Sequence, residues 1–304
     1  MSAPALPSAR ARPRRDGALA ALPSGLWYAA FFLVPLAAVV LYSFGAKPVG
    51  PGVVDLGSLS TGNYSAVLSD TFTSTFRQTV QTSALSTLLL LLVAFPVAYH
   101  VATRVPPVWR PLLLGLVIVP FWTSFLLRTF AWRIILSPLG IVSEGLEGVG
   151  FIDSPLAVLD TRGAVQLGLL YNYLPLMIFP LFVALDRIDP ALREAGKDLG
   201  AGRVRTFVTV TLPLALPGVV AGLLLVFIPL MGEYVTPTVL GGAKGLMVGN
   251  LVASQFLEAQ NVPLGSAMAV VLVGRTLAVI AAVAAVCLLA RTLVRRARAV
   301  ELPA

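Results

Sequence analysis

Six runs of apolar residues, each close to twenty positions long, are strung along this chain with short polar or charged passages between them. At about 1.5 Å of rise per residue, a helix of that length covers roughly 30 Å, the thickness of a bilayer's hydrocarbon layer. The runs fall at residues 26–44, 79–101, 111–132, 164–185, 212–232 and 266–290. A water-soluble domain has no use for so much apolar surface: 57% of the residues are hydrophobic, 12% are charged and the mean hydropathy is +0.88. The expected fold class is an all-α membrane protein with six transmembrane helices. The basic stretch before the first run also suits a cleaved signal peptide, but this run exceeds the usual apolar core of about 7 to 15 residues, which favours a retained span.

The formal charge of +8 invites a nucleic-acid reading, yet no basic groove interleaved with aromatics occurs. The bases flank the apolar runs instead. Six spans put both termini on one side, together with Arg10, Arg12, Arg14 and Arg15, Arg104 and Arg110, Arg187 to Arg205, and Arg291 to Arg298. Acids such as Asp55, Asp70, Glu144, Glu147, Asp153, Asp160 and Glu258 fall in the opposite loops, beside Lys47, Arg77, Arg133, Arg162 and Lys244. The positive-inside rule then makes the termini cytoplasmic, with the bilayer as the first partner and no nucleic acid. The chain divides into a basic cytoplasmic tail (1–23), a first span with an external loop (24–78), a core of five further spans (79–290) and a second basic tail (291–304). The single Cys287, in the last apolar run and expected to be buried, excludes an intramolecular disulfide and a cysteine metal cluster.

The longest densely charged passage between spans is residues 186–213. Asp189 and Pro190 read as a helix start: the carboxylate accepts from free backbone N–H groups, and Pro needs no donor at the first helical position. Leu192, Ala195 and Leu199 share one face. Gly200 and Gly202 end the helix, and Val204, Phe207, Val208 and Val210 begin a second one. A helix, a turn and another helix between two spans suit docking into a partner's groove.

The order Glu194, Ala195, Gly196, three residues, Gly200, nine residues, Val210, one residue, Leu212, Pro213 resembles the EAA loop of binding-protein-dependent ABC importer permeases. The family's usual third residue is Ala; Gly196 here costs about 1 kcal/mol of helix propensity. The resemblance implies a type I importer permease fold in which Glu194, Ala195, Gly196, Asp198 and Gly200 couple to two ATP-binding subunits. It also implies a second permease subunit and an extracytoplasmic substrate-binding protein as partners. Residues 120–132, 171–185, 227–242 and 249–272 are similar to motifs of the polyamine (spermidine/putrescine) branch, so the likeness extends over roughly residues 81–272.

No G-x-x-x-x-G-K-[ST] stretch occurs, and residues 241–245 (GGAKG) lack its spacing, so this chain is expected to be a transport subunit rather than an enzyme, with no cofactor or metal and ATP hydrolysed elsewhere. His100, near Tyr99 and Arg104, has no ligand-spaced partner and reads as an interface residue. Glu233, just past an apolar run and next to Pro229, Gly232, Tyr234 and Pro237, is the leading substrate-path candidate, because an ionisable group at that depth is costly unless paired or hydrated. Trp122, Tyr171, Tyr173 and Tyr234 offer cation–π faces to an ammonium group. A helix-capping role for Glu233 and a lipid-interface belt for the aromatics around Arg128 are the plainer alternatives. Arg275, about ten residues into the sixth span, would repel a polyamine; it either pairs with Glu233 or another acid, or marks an anionic substrate such as an amino-acid derivative, opine or phosphonate. The prolines and glycines of the fifth span read either as packing kinks or as a break lining the substrate path.

Overall fold

The computed structural model describes residues 15–50 and 52–300; the expected basic tail with Arg10, Arg12 and Arg14 lies outside the described residues. Five helices are long and apolar enough to cross a membrane, and a bent pair makes the sixth candidate. In chain order these and the helices between them are α1 (Leu22–Tyr42), α2 (Asp70–Arg104), the pair α3 (Arg110–Trp122) and α4 (Phe125–Ile135), α5 (Arg162–Asp186), α6 (Pro190–Asp198), α7 (Arg203–Met231), α8 (Val248–Leu257) and α9 (Val262–Val300).

Helices α2, α5 and α7 form the centre. Leu90, Ala94 and Ala98 of α2 meet Leu169, Met177, Ile178 and Leu181 of α5 and Ala215 and Val226 of α7 in one buried cluster. Lipid removes most of the hydrophobic drive between helices, so close approach of small residues has to supply the packing. Gly218 and Gly222 of α7 do this against α5: a Cβ at Gly218 would lie 2.6 Å from the Pro180 carbonyl oxygen, and one at Gly222 would lie 2.8 Å from Met177 Sδ. Polar residues add to it, with Gln166 Nε2 of α5 donating to Ser86 Oγ of α2 at 2.7 Å. A second cluster, with Val67, Phe72, Met231, Val248, Ala267 and Leu272, ties the short helix Gly62–Val67 and α8 to α2, α7 and α9.

Several expectations are corrected here. Helix α2 starts at Asp70, nine positions earlier than the apolar run, because Ser and Thr residues continue the helix beyond the lipid-soluble part. Its 35 residues reach roughly 52 Å, more than the bilayer's hydrocarbon needs. Helix α9 likewise runs to Val300, and helix already begins at Arg15, so the segments expected as tails carry helix next to the spans. The third span is not one rod: α3 and α4 meet at 87°. Pro120 cannot donate in a helical ladder, and Thr123 Oγ1 donates to the Pro120 carbonyl at 2.7 Å while Thr123 itself turns extended. The fifth span, by contrast, is unbroken from Arg203 to Met231 through a π-helical stretch at Phe207–Thr211, so Pro217 and Pro229 are accommodated within it and the irregular backbone begins only at Gly232. Cys287 is exposed on α9 rather than buried, since among the described residues nothing packs over the end of that helix.

Candidate functional site

Two sites emerge, one at the charged turn and one in the bundle. At the first, Asp189 accepts from the Ala191 backbone N–H at 2.9 Å and Pro190 opens α6. The helix stops because Gly200 takes φ +79, the left-handed region that glycine enters without Cβ strain. The Gly200 N–H then donates to the Lys197 carbonyl at 2.8 Å and the Ala201 N–H to Gly196 at 3.0 Å, the bonding pattern of a Schellman stop. Gly202, expected to share this duty, has φ −62 and does not need to be glycine on backbone grounds. The second helix of the turn is the start of α7 itself.

Behind this turn, Phe207 sets its ring edge-on against Phe95 and Tyr99 of α2, at 5.7 and 5.8 Å between centroids. Arg110 at the start of α3 forms an ion pair with Asp186 at the end of α5. The turn is therefore bonded to the spans on either side, while Glu194, Ala195 and Asp198 are exposed and Leu199 is 89% exposed. A firmly seated base with an uncovered mixed apolar and charged face is what a docking element requires.

In the bundle, Glu233 is 7% exposed, not at the rim. Its Oε2 accepts from the Tyr173 hydroxyl of α5 at 2.6 Å, and its Oε1 accepts from the backbone N–H groups of Val235 and Thr236 at 2.9 and 3.0 Å. The carboxylate thus caps the irregular segment 232–247 and bolts it to α5. The freed carbonyls of that segment are met by side chains from other elements: Arg133 donates to Val239, Gln78 Nε2 to Leu246 at 3.3 Å, and Asn250 Nδ2 to Tyr234 at 3.0 Å. Non-helical backbone at membrane depth persists only when such partners exist. Glu233 therefore takes the capping role expected as the plainer alternative, but in the interior of the bundle rather than at the interface.

The other candidates separate. Tyr173 stands with Glu233, and its ring packs against Phe125 at 6.3 Å. Tyr171 is on the other side of α5, edge-on to Trp132 at 5.4 Å. Tyr234 is exposed, and Trp122 is 84% exposed at the α3–α4 bend, so neither joins the carboxylate. Arg275 does not pair with Glu233: its Nη atoms approach Thr73 Oγ1 at 3.4 Å and its guanidinium sits 5.5 and 5.4 Å from the Phe72 and Phe76 rings, all in the first turns of α2. It lies inside α9 as expected, but the partner differs, because α2 overruns its own apolar run and lies against that stretch of α9. The residue the sequence underrated is Arg128, buried at 9% exposure, with Phe121 and Phe125 against its guanidinium at 4.6 and 5.9 Å. Its position eight residues past Pro120, in a span whose break was not anticipated, was the available signal.

A bundle of apolar helices with a broken span, a bonded irregular segment around a buried carboxylate and an exposed charged turn between two spans defines a multi-pass membrane protein. Residues 25–298 match the family described as binding-protein-dependent transport system inner membrane component, and the chain belongs to that family. It is 43% identical over 169 residues to the spermidine/putrescine transport system permease protein PotB of Salmonella typhimurium, a stretch that makes up 56% of this chain and 59% of that relative. The chain thus spans about three fifths of the length of the curated spermidine/putrescine permease relatives it matches. Among solved structures, a bacterial ABC transporter involved in the import of the acidic polysaccharide alginate superposes with a TM-score of 0.66 at 18% identity, covering 93% of this chain and 96% of that one. The bacterial alginate ABC transporter in complex with an alginate pentasaccharide-bound periplasmic protein gives 0.65 at 16% identity, with 88% and 92% covered. These two likenesses establish the type I importer permease fold alone.

Proposed function

We propose that this chain is the permease subunit of an ATP-driven importer that moves a small cationic, polyamine-like molecule into the cytoplasm by alternating access. The observation that carries the reading is the 43% identity to a spermidine/putrescine permease over 169 residues. The buried Glu233 supports the chemistry: after three hydrogen bonds a carboxylate retains acceptor capacity for one ammonium group, and the packed rings of Tyr173 and Phe125 stand beside it as aromatic surface. Arg275 rests against the opening turns of α2 and does not pair with Glu233, which supports a cation-binding rather than a neutralised site at that carboxylate.

With the termini cytoplasmic, α6 faces the cell interior, and Glu194, Ala195, Gly196, Asp198 and Gly200 form the element that seats in an ATP-hydrolysing subunit. Two such subunits draw together on ATP binding and pull this turn and its counterpart on a second permease chain with them. The turn's bonds to α2, α3 and α5 transmit that motion to the bundle. Substrate arrives from a binding protein on the outer face. ATP acts only through the difference in its affinity for the outward and inward states.

The test is uptake of labelled spermidine and putrescine by cells whose own polyamine importers are deleted and which express the complete transporter. Saturable uptake, abolished by Glu194→Lys and reduced by Glu233→Gln at equal membrane levels, is the expected result. Uptake of neither amine, with competition by amino-acid derivatives or phosphonates at the cognate binding protein, would overturn the substrate class.

A further inference from the structure

The passage 241–245 (GGAKG), which no nucleotide motif explains, is built into the end of the bundle opposite the charged turn. It packs on the start of α5, which runs from Arg162 there to Asp186 beside that turn. A Cβ at Gly241 or Gly245 would lie 2.6 or 2.8 Å from Val165 Cγ2 of α5, and Gly242 takes φ +49 with Asp160 against it. Such close approach needs glycine, and it holds Lys244 at Arg162.

Together with Thr75 and Gln78 of α2 and with Thr161, these two bases line a cavity of about 440 Å³. Arg162 donates from Nε to the Lys244 carbonyl at 3.3 Å and from Nη2 to Gln78 Oε1 at 3.0 Å. Gln78 Nε2 donates in turn to the Lys244 and Leu246 carbonyls at 3.4 and 3.3 Å. Arg162 Nη1 and the Lys244 ammonium have no hydrogen-bond or ion-pair partner among the described residues, and the neighbouring Asp160 faces Arg133 at 3.8 Å. Both basic residues are exposed, so their charges are within reach of another molecule.

Two cations and an amide around one cavity select a carboxylate. The walls come from α2, α5 and the segment after α7, the central elements of the bundle, so the cavity lies along the bundle axis rather than on a lipid-facing flank. On the importer reading above, on which this inference rests, a cationic cargo is repelled here and the ATP-hydrolysing subunits engage the opposite end. The acidic group that fits is a side chain of the protein that delivers the cargo.

We propose that the cavity between Gln78, Arg162 and Lys244 receives an Asp or Glu side chain of the extracytoplasmic substrate-binding protein, and that its entry loosens the Arg162 and Gln78 bonds to the Lys244 and Leu246 carbonyls. Those bonds hold one end of the irregular segment whose other end Glu233 caps, so docking outside reaches the interior carboxylate through residues 232–247.

The experiment uses the complete transporter in lipid nanodiscs with its binding protein, either cargo-free or loaded with spermidine. A water-soluble carbodiimide joins the Lys244 amine to any carboxylate in contact, and peptide mass spectrometry locates the amide. The expected product is an amide to an Asp or Glu of the binding protein, absent from Lys244→Gln. Lys244→Glu is expected to raise the binding-protein concentration that half-stimulates ATP hydrolysis by about ten-fold or more, and reversing the charge of the located acid to restore it. An amide to the second membrane chain or to a small carboxylate, no amide at all, or an unchanged half-stimulating concentration in Lys244→Glu overturns the proposal. The two failures are separable. Cells that take up no polyamine sink the cargo class while the adduct stands, and a missing adduct alongside polyamine uptake sinks the docking cavity alone.

Discussion

The Tyr173 hydroxyl on α5 donates to Glu233 Oε2 at 2.6 Å, and the carboxylate's other oxygen holds the backbone N–H groups of Val235 and Thr236. One side chain therefore joins a regular span to the irregular segment that follows α7. On the proposed function, a substrate ammonium arriving at Glu233 would compete with, or add to, bonds that also hold the fold, and would so couple binding to the position of residues 232–247.

Tyr173→Phe removes one hydrogen bond to a charged group and is expected to cost about 1.5–3 kcal/mol. Glu233→Ala leaves the Tyr173 hydroxyl and two backbone donors unpaired in the bundle and should cost more, at about 1–3 kcal/mol for each donor left bare. Thermal unfolding of the purified complex, followed at the same detergent concentration for both single variants and the double variant, measures the coupling. A double variant whose loss equals the sum of the singles would mean the two residues do not act through each other.

Gly200 and Gly202 look alike in the sequence and differ in the structure. Gly200, at φ +79, has open space where a Cβ would go, so Gly200→Ala carries only the backbone penalty of about 1–2 kcal/mol. Gly202, at φ −62, should accept Ala within about 0.5 kcal/mol. Apparent melting temperature and substrate-stimulated ATP hydrolysis of the assembled transporter are expected to fall for the first variant and hold for the second. Equal behaviour of the two would show that the Schellman stop does not govern the turn.

Gly196, where the resembled family has Ala, packs against α7. A Cβ there would lie 3.3 Å from Thr206 Cγ2 and 3.5 Å from its Oγ1, and Thr206 is buried. Gly196→Ala gains about 1 kcal/mol of helix propensity and loses a comparable amount to crowding, for a net change near zero. Thr206→Ser removes the crowding methyl. In that background Gly196→Ala should stabilise by about 1 kcal/mol, read as a shift of the same unfolding transition. If Ala is equally neutral in both backgrounds, Thr206 is not what keeps residue 196 small.

Much of the fold and of the charged turn was legible because it depends on local, one-dimensional properties. An apolar run of span length has few options, and Asp189-Pro190 before α6 with Gly200 after it fixes a short helix through caps whose donors and acceptors lie within a few residues. The bundle site was not legible to the same degree. Glu233 was recognised as a buried-type carboxylate, but its partner Tyr173 lies sixty positions away on another helix. Arg275 and Arg128 exchanged places: the first turned out to rest on the opening turns of α2, and the second to lie buried behind a bend that the run of apolar residues concealed.

Sequence alone determined that this chain lives in a bilayer, that five of its runs become span-length helices and that a capped, charged helix links two of them, because hydrophobic length, charge placement and capping chemistry act over neighbouring residues. Tertiary structure decided which interior charges are paired. Whether Glu233 meets Tyr173, and whether Arg128 finds an acceptor among the described residues, depends on how α4, α5 and the segment after α7 pack, and the hydroxyl donor that Tyr173 brings from a distant helix is what makes the carboxylate tolerable inside the bundle.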